Sequence, residues 1–454
     1  MNQPNPLMFR AYDIRGVADD DLTEEAAVII GKGIGTYLQR RGGNQIVVGR
    51  DNRLSSERLK NSLVEGLLST GCAVTDIGQS TSPMMYAAVI QWGLDGGINV
   101  TGSHNPKEYN GFKVVGRQAF PIGGPEIEVL RDLTLAEDFL GGRGAYRQGS
   151  ILEEYFAKIQ GLVHLARPMK VAVDTGNGVA GLAVPEMLKR LGCEVVEIYT
   201  ELDGNFPHHL PNPEKESSLA ELKRQVVVTG AEVGLGFDGD GDRVGLIDEQ
   251  GGFREADYVI MLLARDYLSR HPGAPVLVDV KISQNVINDI RQHNGLPVLS
   301  KTGHSLVKQK MREDHIILGG ELSGHMFVFE DYYPVDDALY AAGRLLQYLS
   351  TTDKSVSAQF ADLPKLYASR IIEIPCADHA KFDVIKQLQA AFAARYEVNT
   401  IDGARVTFPH GWAIVRASNT TPNLTLRYEA DSPEHLEEIR DEVMATVNAH
   451  LPKN

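Results

Sequence analysis

The most specific chemical signal in this sequence is a turn in which carboxylates alternate with glycines. Asp238, Asp240 and Asp242 follow the apolar run 233–235, with one glycine between each pair of aspartates. Carboxylates this close repel one another unless a cation joins them. Hard oxygen ligands on a short, flexible turn suit magnesium, which usually keeps some waters and takes a phosphate oxygen as a further ligand. The turn therefore predicts a magnesium site, and a solvated acidic turn is the alternative.

A calcium-binding EF-hand is a second interpretation of the same residues. Asp238, Asp240, Asp242 and Glu249 fall at loop positions 1, 3, 5 and 12 of that motif. Position 6 of an EF-hand requires glycine for a sharp turn, and here it is Arg243. The motif also needs flanking helices, whereas a strand is predicted before this loop, so the sequence disfavours calcium.

Ser103 is a candidate nucleophile or phosphoryl carrier. It lies between Gly102 and His104, directly after a short apolar strand predicted at 97–101. Ligands of open α/β sheets bind at the carboxyl ends of strands, so its position is informative apart from its type. The surrounding residues do not match a nucleophile elbow, and a turn-stabilising serine is the commoner interpretation of such a dipeptide. Lys113, nearby in the chain, could remove a proton from a hydroxyl or balance phosphate charge.

Two further loops carry groups that suit a phosphorylated sugar. The loop 319–325 places Glu321, Ser323 and His325 among glycines, which allow close backbone approach and suit sugar hydroxyls; an ordinary turn between strands is the alternative. Farther along, two arginines flank hydroxyl and amide donors that could surround a phosphate, and a polar hairpin turn is the alternative. The members of this second set are Arg416, Ser418, Asn419, Thr420 and Arg427.

The elements that must position these loops belong to an α/β fold. Short β-branched runs alternate with amphipathic helical stretches, as in parallel sheets covered by helices. Three segments, beginning near the N-terminus, near Pro168 and near Gly252, share this pattern. The last segment, from about Ser369, instead shows two strands around a loop and then a helix capped by Ser432. The predicted strands are 45–49, 73–77, 97–101, 170–173, 233–236, 276–280, 296–301, 316–318, 413–416 and 424–429.

Composition limits the class of protein. A chain of 454 residues is expected to divide into three or four domains, since single cores seldom exceed about 250 to 300 residues. No apolar stretch approaches the ~20 residues that span a bilayer, and the first residues do not resemble a secretory signal, so a cytoplasmic location is expected. A net charge of −15 disfavours nonspecific binding to nucleic acid or anionic membranes. Buried, reduced thiols are expected for Cys72, Cys193 and Cys376.

In combination, the four loops resemble those of the α-D-phosphohexomutase superfamily, particularly its bacterial phosphomannomutase/phosphoglucomutase branch. Their order and separations match, and so does the opening segment Phe-Arg-Ala-Tyr-Asp-Ile-Arg-Gly at 9–16. The resemblance spans nearly the whole chain. It implies three similar α/β domains with mixed sheets and a smaller C-terminal α+β domain, arranged around a central cleft. The implied boundaries are 1–150, 151–252, 253–367 and 368–454.

The resemblance also implies a role for each matching residue. Ser103 would be the phosphoserine, and Asp238, Asp240 and Asp242 would hold Mg²⁺ together with an oxygen of that group. Arg243 would face the transferring phosphoryl group, with Lys113 or Arg15 assisting proton movement. The substrate-side residues implied are Tyr12, Arg15, His104 and Lys113 at the reaction centre, Glu321 and Ser323 on sugar hydroxyls, His304 and His325 on the substrate, and Arg416, Ser418, Asn419, Thr420 and Arg427 on the phosphate that is not reacting.

The implied reaction is reversible conversion between hexose 1-phosphate and hexose 6-phosphate, of mannose or glucose, through a 1,6-bisphosphate. Glucose 1,6-bisphosphate would serve as activator, and the protein would be a monomer or weak homodimer. A phosphoglucosamine mutase is one alternative, disfavoured by Gly102 and Leu322, where those relatives usually carry alanine and glutamine. A phosphomonoesterase and a non-catalytic protein that binds sugar phosphates are the others.

Overall fold

The first three domains share one strand plan, which fixes where their loops lie. The computed structural model describes residues 3–418 and 421–452. Each of these domains contains a core of four neighbouring strands. Counted along the chain within that core, the strands lie side by side in the order second, first, third, fourth. The first three are parallel to one another, and the fourth is antiparallel to the third. The connection from third to fourth strand therefore lies at the carboxyl end of a parallel strand in all three. The chain is an α/β protein with mixed sheets, as predicted.

The first domain extends this plan with a strand at each edge. Its sheet runs β1-β5-β4-β2-β3-β6, and β5 pairs antiparallel with both β4 and β1. Helix α3 begins where the Thr81 side chain accepts a hydrogen bond from Met84 N, with proline at the first turn. The elements are β1 (Ile14–Val17), α1 (Glu24–Gln39), β2 (Gln45–Arg50), α2 (Ser56–Ser69), β3 (Ala73–Gln79), α3 (Ser82–Gln91), β4 (Gly96–Val100), β5 (Tyr109–Gly116), α4 (Pro125–Leu135) and β6 (Tyr146–Gln148).

The second domain carries the aspartate turn in an antiparallel hairpin. Strand β9, buried throughout, pairs with β10 so that Phe237 lies opposite Val244, and residues 238–243 close the hairpin. The sheet order is β11-β10-β9-β7-β8. The elements are α5 (Leu152–Gln160), β7 (Lys170–Asp174), α6 (Val184–Arg190), β8 (Glu194–Ile198), α7 (Ala220–Thr229), β9 (Val233–Phe237), β10 (Val244–Asp248) and β11 (Phe253–Arg254).

The third domain corrects one predicted strand. The sequence placed a strand at 316–318 and the following glycines in a loop, but Gly319 and Gly320 are themselves in a strand. Glycine is needed there because a Cβ on Gly320 would lie 2.3 Å from Ile260 Cγ1. The sheet order is β13-β12-β14-β15. The elements are α8 (Ala256–Arg270), β12 (Pro275–Asp279), α9 (Gln284–Gln292), β13 (Leu296–Ser300), α10 (His304–Glu313), β14 (Leu318–Gly320), β15 (Met326–Val328) and α11 (Ala338–Ser350).

The C-terminal domain is an antiparallel sheet with two helices. The predicted helix is present: Ser432 accepts a hydrogen bond from His435 N, and Ile439, Val443 and Val447 are buried. The sequence indicated only two strands, because the others lack a continuous apolar run; all but the buried strand Ala404–Phe408 are also short and partly exposed. The sheet runs β16-β21-β20-β19-β18, and β17 also pairs with β21. The elements are β16 (Tyr367–Ala368), β17 (Ile372–Pro375), α12 (Asp378–Ala393), β18 (Glu397–Asn399), β19 (Ala404–Phe408), β20 (Gly411–Ala417), β21 (Asn423–Ala430) and α13 (Pro433–His450).

The hydrophobic cores show how the domains join. One continuous apolar cluster runs through the first three domains, whereas the C-terminal domain has a separate core and meets the third domain through Val280, Trp412 and Ile414. The three cysteines are buried and unpaired, as predicted. Among the described residues, no helix has the length and apolar character needed to cross a membrane.

Candidate active site

Ser103 lies in the loop between β4 and β5 and is directed at the aspartate turn of the second domain. Its Oγ donates a hydrogen bond to Asp238 Oδ2 at 2.7 Å, and its backbone N donates to Thr101 Oγ1 at 2.9 Å. Its φ of 49° is in the left-handed region, which is uncommon for a residue with a Cβ. The serine is almost fully buried. The structure thus brings the candidate nucleophile to the candidate metal ligands.

The three aspartates of the turn are buried together. Asp238 Oδ1 accepts hydrogen bonds from the backbone N of Asp242 and of Arg243, which holds the turn closed. Burial, reinforced by the charges of Asp242 and Asp240, holds the pKa of Asp238 well above its usual range. Three carboxylates buried this close together repel one another, and a nearby positive charge or a shared proton relieves that repulsion.

Lys113 supplies part of that positive charge. Its Nζ donates to Asp240 Oδ2 at 2.6 Å and also to Asp242 Oδ2. Burial alone would lower the pKa of Lys113, but Asp240 and Asp242 outweigh it and the pKa lies well above its ordinary value. The residue is on β5, opposite Asn99, so the strand pairing of the first domain delivers it to the second.

The aspartate turn fits a magnesium ion. Ligand oxygens of Asp238, Asp240 and Asp242 lie within 4.8 Å of one another. Asp240 Oδ1 and Asp242 Oδ1 are buried, and no residue that the structure describes hydrogen-bonds to either. His325 Nε2 lies 3.4 Å from Asp242 Oδ1, and Asp240 Oδ1 has no such neighbour among the described residues. Buried carboxylate oxygens that accept no hydrogen bond, in an all-oxygen set, are the donors that a hard divalent cation requires.

Arginines and a neutral histidine surround Ser103. Arg243 Nε lies 4.0 Å from Asp238 Oδ2, and Arg15 pairs with Asp13 at 2.6 Å. His104 Nδ1 is 3.1 Å from Ser103 Oγ. Burial, followed by Arg243 and Arg15, lowers the pKa of His104 well below its usual value, so this imidazole is neutral. These predicted residues converge on one point.

The predicted sugar loop, between β14 and β15, adjoins the aspartate turn. Gly324 O accepts from Val244 N at 3.1 Å, and His325 Nε2 lies 3.4 Å from Asp242 Oδ1. Ser323 Oγ is 3.0 Å from His325 Nδ1. Glu321 Oε1 accepts from Gly303 N at 2.6 Å, which ties the loop to the start of α10.

Two aromatic contacts complete this side of the cleft. The rings of Tyr12 and His304 meet edge to face with centroids 5.2 Å apart, and His304 stacks on His325 at 5.2 Å. Burial raises the pKa of Tyr12 to about 12. The pKa of His304 lies well below its usual value, mainly because the ring is buried and secondly because of the charge of Lys308. Tyr12 therefore joins the first domain to the sugar loop of the third.

The predicted phosphate residues lie on the C-terminal domain, facing the third. Register places Arg416 opposite Thr425 and Arg427 opposite Ile414, so both arginines project from the same face of the sheet. Arg416 Nε donates to Asp402 Oδ2 at 3.0 Å, whereas Arg427 pairs with Glu255 at 2.5 Å. Ser418 Oγ accepts from Thr421 N at 3.1 Å. The predicted ligands Asn419 and Thr420 lie outside the described residues.

Several buried polar residues beside the site were not indicated by the sequence. Ser82 Oγ donates to Asp240 Oδ2 at 2.6 Å and accepts from Asn99 Nδ2 at 3.0 Å. Lys281 Nζ lies 3.5 Å from Asp279 Oδ2. This buried carboxylate also interacts electrostatically with Glu321 and Arg416. None of them belongs to a recognisable motif, and each reaches the cleft through domain packing, so no local pattern could have identified them.

Asp402 connects the C-terminal domain to the segment before α10, whose Gly303 is in turn bound by Glu321 of the sugar loop. Asp402 Oδ2 accepts hydrogen bonds from Thr302 N at 2.9 Å and from Arg416 Nε at 3.0 Å. Contacts therefore run without a break from Ser103, through the aspartate turn and the sugar loop, to Arg416. The arrangement can neutralise a phosphoryl group beside Ser103 while holding polyhydroxylated and anionic groups farther along one cleft.

Comparison with known proteins agrees with this geometry. Residues 6–141, 153–252, 255–367 and 371–446 match, in order, the families described as Phosphoglucomutase/phosphomannomutase alpha/beta/alpha domains I, II and III and C-terminal domain. The chain is 44% identical to a phosphomannomutase/phosphoglucomutase of Pseudomonas aeruginosa, covering 95% of this chain and 94% of the relative. It is 39% identical to a phosphoglucomutase of Neisseria gonorrhoeae, covering 98% of each.

A solved structure extends the similarity to the whole fold. A phosphoglucomutase/phosphomannomutase family protein from Burkholderia thailandensis superposes with a TM-score of 0.92 at 39% identity, covering 98% of each chain. The order of the four domains is therefore shared with these proteins from end to end.

Proposed function

This chain belongs to the phosphoglucomutase/phosphomannomutase family and is an isomerase that interconverts hexose phosphates, and we propose that Ser103 carries the transferred phosphoryl group. The observation that carries this proposal is the hydrogen bond of 2.7 Å from Ser103 Oγ to Asp238 Oδ2. It joins the candidate carrier of one domain to the candidate metal turn of another. A serine with only a turn-stabilising role would have no need of this contact.

The reaction proceeds in two transfers. Phosphorylated Ser103 gives its phosphoryl group to a free hydroxyl of the hexose monophosphate: the P–Oγ bond breaks and a P–O bond to the sugar forms. The sugar hydroxyl loses a proton, with Lys113 or Arg15 assisting, and Ser103 Oγ gains one. The resulting 1,6-bisphosphate reorients in the site and returns its other phosphoryl group to Ser103.

The residues around Ser103 fit the charge that such a transfer must neutralise. Asp238, Asp240 and Asp242 would hold Mg²⁺, which when bound neutralises phosphoryl oxygens. Arg243, 4.0 Å from Asp238, is suited to face the group in transfer. His104, neutral and 3.1 Å from Ser103 Oγ, can hydrogen-bond to the serine without competing with the cation for the aspartates.

The remaining residues bind the rest of the substrate. Glu321 and Ser323 contact sugar hydroxyls, and Tyr12, His304 and His325 line the sugar. The non-reacting phosphate binds to Arg416, Ser418, Asn419, Thr420 and Arg427, and this site must accept either end of the bisphosphate. Arg427 pairs with Glu255, so a phosphate that uses Arg427 must compete with that carboxylate.

We propose that each domain supplies one loop, with boundaries at 1–150, 151–252, 253–367 and 368–454. The substrates are mannose and glucose phosphates, and glucose 1,6-bisphosphate primes the enzyme. Gly102 and Leu322 support hexoses over amino sugars. The protein is proposed to be cytoplasmic and monomeric or weakly dimeric. Its net charge of −15 disfavours nonspecific binding to nucleic acid or to anionic membranes.

A coupled mutase assay tests the proposal. Mannose 1-phosphate, glucose 1-phosphate and glucosamine 1-phosphate are supplied separately, with Mg²⁺ and catalytic glucose 1,6-bisphosphate, beside Ser103→Ala. We expect turnover of the first two sugars, abolished in the variant. Release of inorganic phosphate without isomer would indicate a phosphomonoesterase, and preference for glucosamine phosphate would reject the proposed substrates.

A further inference from the structure

Arg53 is a fully buried arginine whose hydrogen bonds all go to the loop that bears Ser103 and to its support. Nη2 donates to Ser103 O at 2.8 Å and to Asn105 O at 2.7 Å. Nη1 donates to Pro106 O at 2.6 Å and to Tyr109 O at 3.1 Å. Nε donates to Asp51 at 3.1 Å. A guanidinium has five N–H donors, so every one is used, and four of them hold backbone carbonyls of one loop.

Asp51 fixes Arg53 and the loop to the same support. Its Oδ2, which accepts from Arg53 Nε, also accepts from Gly102 N at 3.1 Å, and its Oδ1 accepts from Arg53 N at 3.0 Å. The carboxylate is buried, so its charge-assisted hydrogen bonds are strong and directional. The pair forms a rigid template that follows the loop from Gly102 to Tyr109.

The template accounts for two features of this loop: the backbone conformation of Ser103 and the glycine that precedes it. The left-handed φ of 49° turns the Ser103 carbonyl toward Arg53 Nη2 and leaves Oγ directed at Asp238. Gly102 has no positive φ, but a Cβ there would lie 2.5 Å from Arg53 Cζ. In this chain, glycine at 102 leaves room for the guanidinium, because a methyl group there would meet Arg53 and the Tyr109 carbonyl oxygen.

Arg53 is closed off on its other side by the second domain. Its guanidinium carbon lies 5.0 Å from the centre of the Phe206 ring, and a Cβ on Gly204 would lie 3.0 Å from Arg53 Cα. The side chain has no solvent exposure. Its hydrogen bonds are used up within the protein, so it has no donor left for a phosphate or a sugar.

We propose that Arg53 is a positioning residue for phosphoryl transfer, which sets the orientation of Ser103 through the backbone without touching the substrate. The inference rests on the proposed function, in which Ser103 is the carrier. Arg53 should therefore govern the rate of the transfer step more than substrate binding. Lysine cannot replace it, because one ammonium group cannot reach four carbonyls in the geometry of a planar fork.

The test compares Arg53→Lys with Arg50→Lys, a matched control at the last residue of β2, whose guanidinium contacts Glu57 at 3.4 Å and the Asp51 carbonyl oxygen at 3.1 Å but hydrogen-bonds to no residue of the Ser103 loop. Each protein is phosphorylated with glucose 1,6-bisphosphate, freed of excess reagent, and mixed rapidly with glucose 1-phosphate. Loss of phosphate from Ser103 is followed by intact-protein mass spectrometry. The transfer rate is measured only on molecules that carry phosphate on Ser103. A smaller folded fraction therefore does not lower the measured rate. Thermal melting confirms folding.

We expect Arg53→Lys to transfer its phosphoryl group about 100-fold more slowly than wild type, as for displaced reacting groups, with KM within about threefold. Arg50→Lys should match wild type in both. If Arg53→Lys does not fold, Asp51→Asn decides, because it removes one of the two carboxylate oxygens that hold Arg53 and Gly102 and should slow transfer similarly.

Transfer by the folded variant within about threefold of wild type would overturn the inference, as would an equal loss in Arg50→Lys. If wild-type protein turns over its substrate and Arg53→Lys is unaffected, the role of Arg53 is rejected but the proposed function stands. Wild-type protein that neither acquires phosphate on Ser103 nor transfers it rejects the proposed function together with this inference.

Discussion

Ser103 is held in a conformation that its own residue type disfavours. A left-handed φ costs a residue with a Cβ about 1 to 3 kcal/mol, and such strain persists only where neighbouring contacts over-determine it. Here the hydrogen bonds to Thr101 Oγ1, to Arg53 and to Asp238 do so. The strain is thus associated with the contact that brings the serine to the aspartate turn.

Ser82 should orient Asp240 for the metal. Its Oγ donates to Asp240 Oδ2 at 2.6 Å and is itself held by Asn99. Loss of a hydrogen-bond partner behind a metal ligand typically weakens metal binding 10- to 100-fold, so we expect about that decrease in Mg²⁺ affinity for Ser82→Ala. Calorimetric titration with Mg²⁺ measures it.

Ser80→Ala is the matched control for this change. Ser80 is also fully buried, but its Oγ has no hydrogen-bond partner within residues 3–418 and 421–452, and alanine should leave Mg²⁺ affinity unchanged. Equal affinities of Ser82→Ala and wild type would mean that the aspartate turn orients its own ligands.

Asp257 should make stability depend on pH. Burial, followed by the charge of Glu255, raises the pKa of this carboxyl to about 7. Because the folded-state pKa exceeds the unfolded one, its stabilisation is complete below about pH 4 and is lost as pH rises through 7. The unfolding free energy of Asp257→Asn minus that of wild type should therefore increase by roughly 2 to 4 kcal/mol from pH 4 to pH 8. Urea denaturation at both pH values measures this, and a pH-independent difference would contradict it.

At the scale of elements, the three catalytic loops occupy one structural position. The Ser103 loop joins β4 to β5, the aspartate turn joins β9 to β10, and the sugar loop joins β14 to β15. In each domain this is the connection from the third to the antiparallel fourth strand. A repeated supersecondary unit thus presents three different loops to one cleft.

Gly239 sets how closely the first two loops approach. A Cβ there would lie 2.4 Å from Ser103 O and 3.2 Å from Pro211 Cγ. Gly239→Ala must push the Ser103 loop away from the aspartate turn, and we expect kcat to fall about 100-fold, as for small displacements of reacting groups. Gly141→Ala, with open space at its Cβ and no positive φ, is the control. Steady-state kinetics that do not distinguish the two variants would reject this view.

The sequence predicted the elements that have strong periodicity. The buried parallel strands β2, β4, β7 and β12 and the helix after Ser432 were predicted, because continuous apolar runs and a clear cap mark them. The parallel strands β6 and β8, whose residues are mostly exposed or half-buried, were not. Strands such as β18, Glu397–Asn399, were not, since three partly exposed residues carry no pattern. Gly319 and Gly320 were assigned to a loop because glycine usually marks one, whereas here close packing of Ile260 requires it within a strand.

At the scale of the molecule, the C-terminal domain docks on the third domain through polar contacts. Arg405 Nη1 donates to Val280 O at 2.5 Å, and its guanidinium lies 3.7 Å from the centre of the Trp412 ring. Glu429 accepts from Gln284 N at 2.9 Å and from Trp412 Nε1 at 2.8 Å. Because its own core is separate, we expect this domain to hinge over the substrate and exclude water during the proposed reorientation of the bisphosphate.

Asp402 should couple that domain to the segment before α10, and through Gly303 to Glu321 of the sugar loop. Asp402→Ala removes the acceptor shared by Thr302 N and Arg416 Nε. Hydrogen bonds to charged groups contribute about 1.5 to 3 kcal/mol, so we expect KM for hexose phosphates to rise about 10- to 100-fold with less change in kcat. Asp383→Ala, on an exposed helix surface, is the control in the same kinetic assay. A loss of kcat at constant KM would contradict this role.

The overall organisation and the predicted site could be inferred from sequence because motif residues are contiguous within each loop. The supporting residues could not be. Ser82, Asp402 and Arg53 act across domain boundaries or through backbone groups, and nothing near them in sequence indicates a partner. Such contacts are set by how the domains pack, which local patterns do not encode.

The most direct measurement of the central claim is the phosphorylation state of Ser103 during one turnover. Wild-type protein is incubated with glucose 1,6-bisphosphate and Mg²⁺, freed of excess reagent, mixed with mannose 1-phosphate, and examined by intact-protein and peptide mass spectrometry beside Ser103→Ala. We predict one phosphate on Ser103, lost on addition of substrate as bisphosphate appears, and none on the variant. Isomer formation by protein that never carries phosphate on Ser103, or by Ser103→Ala, would contradict the account.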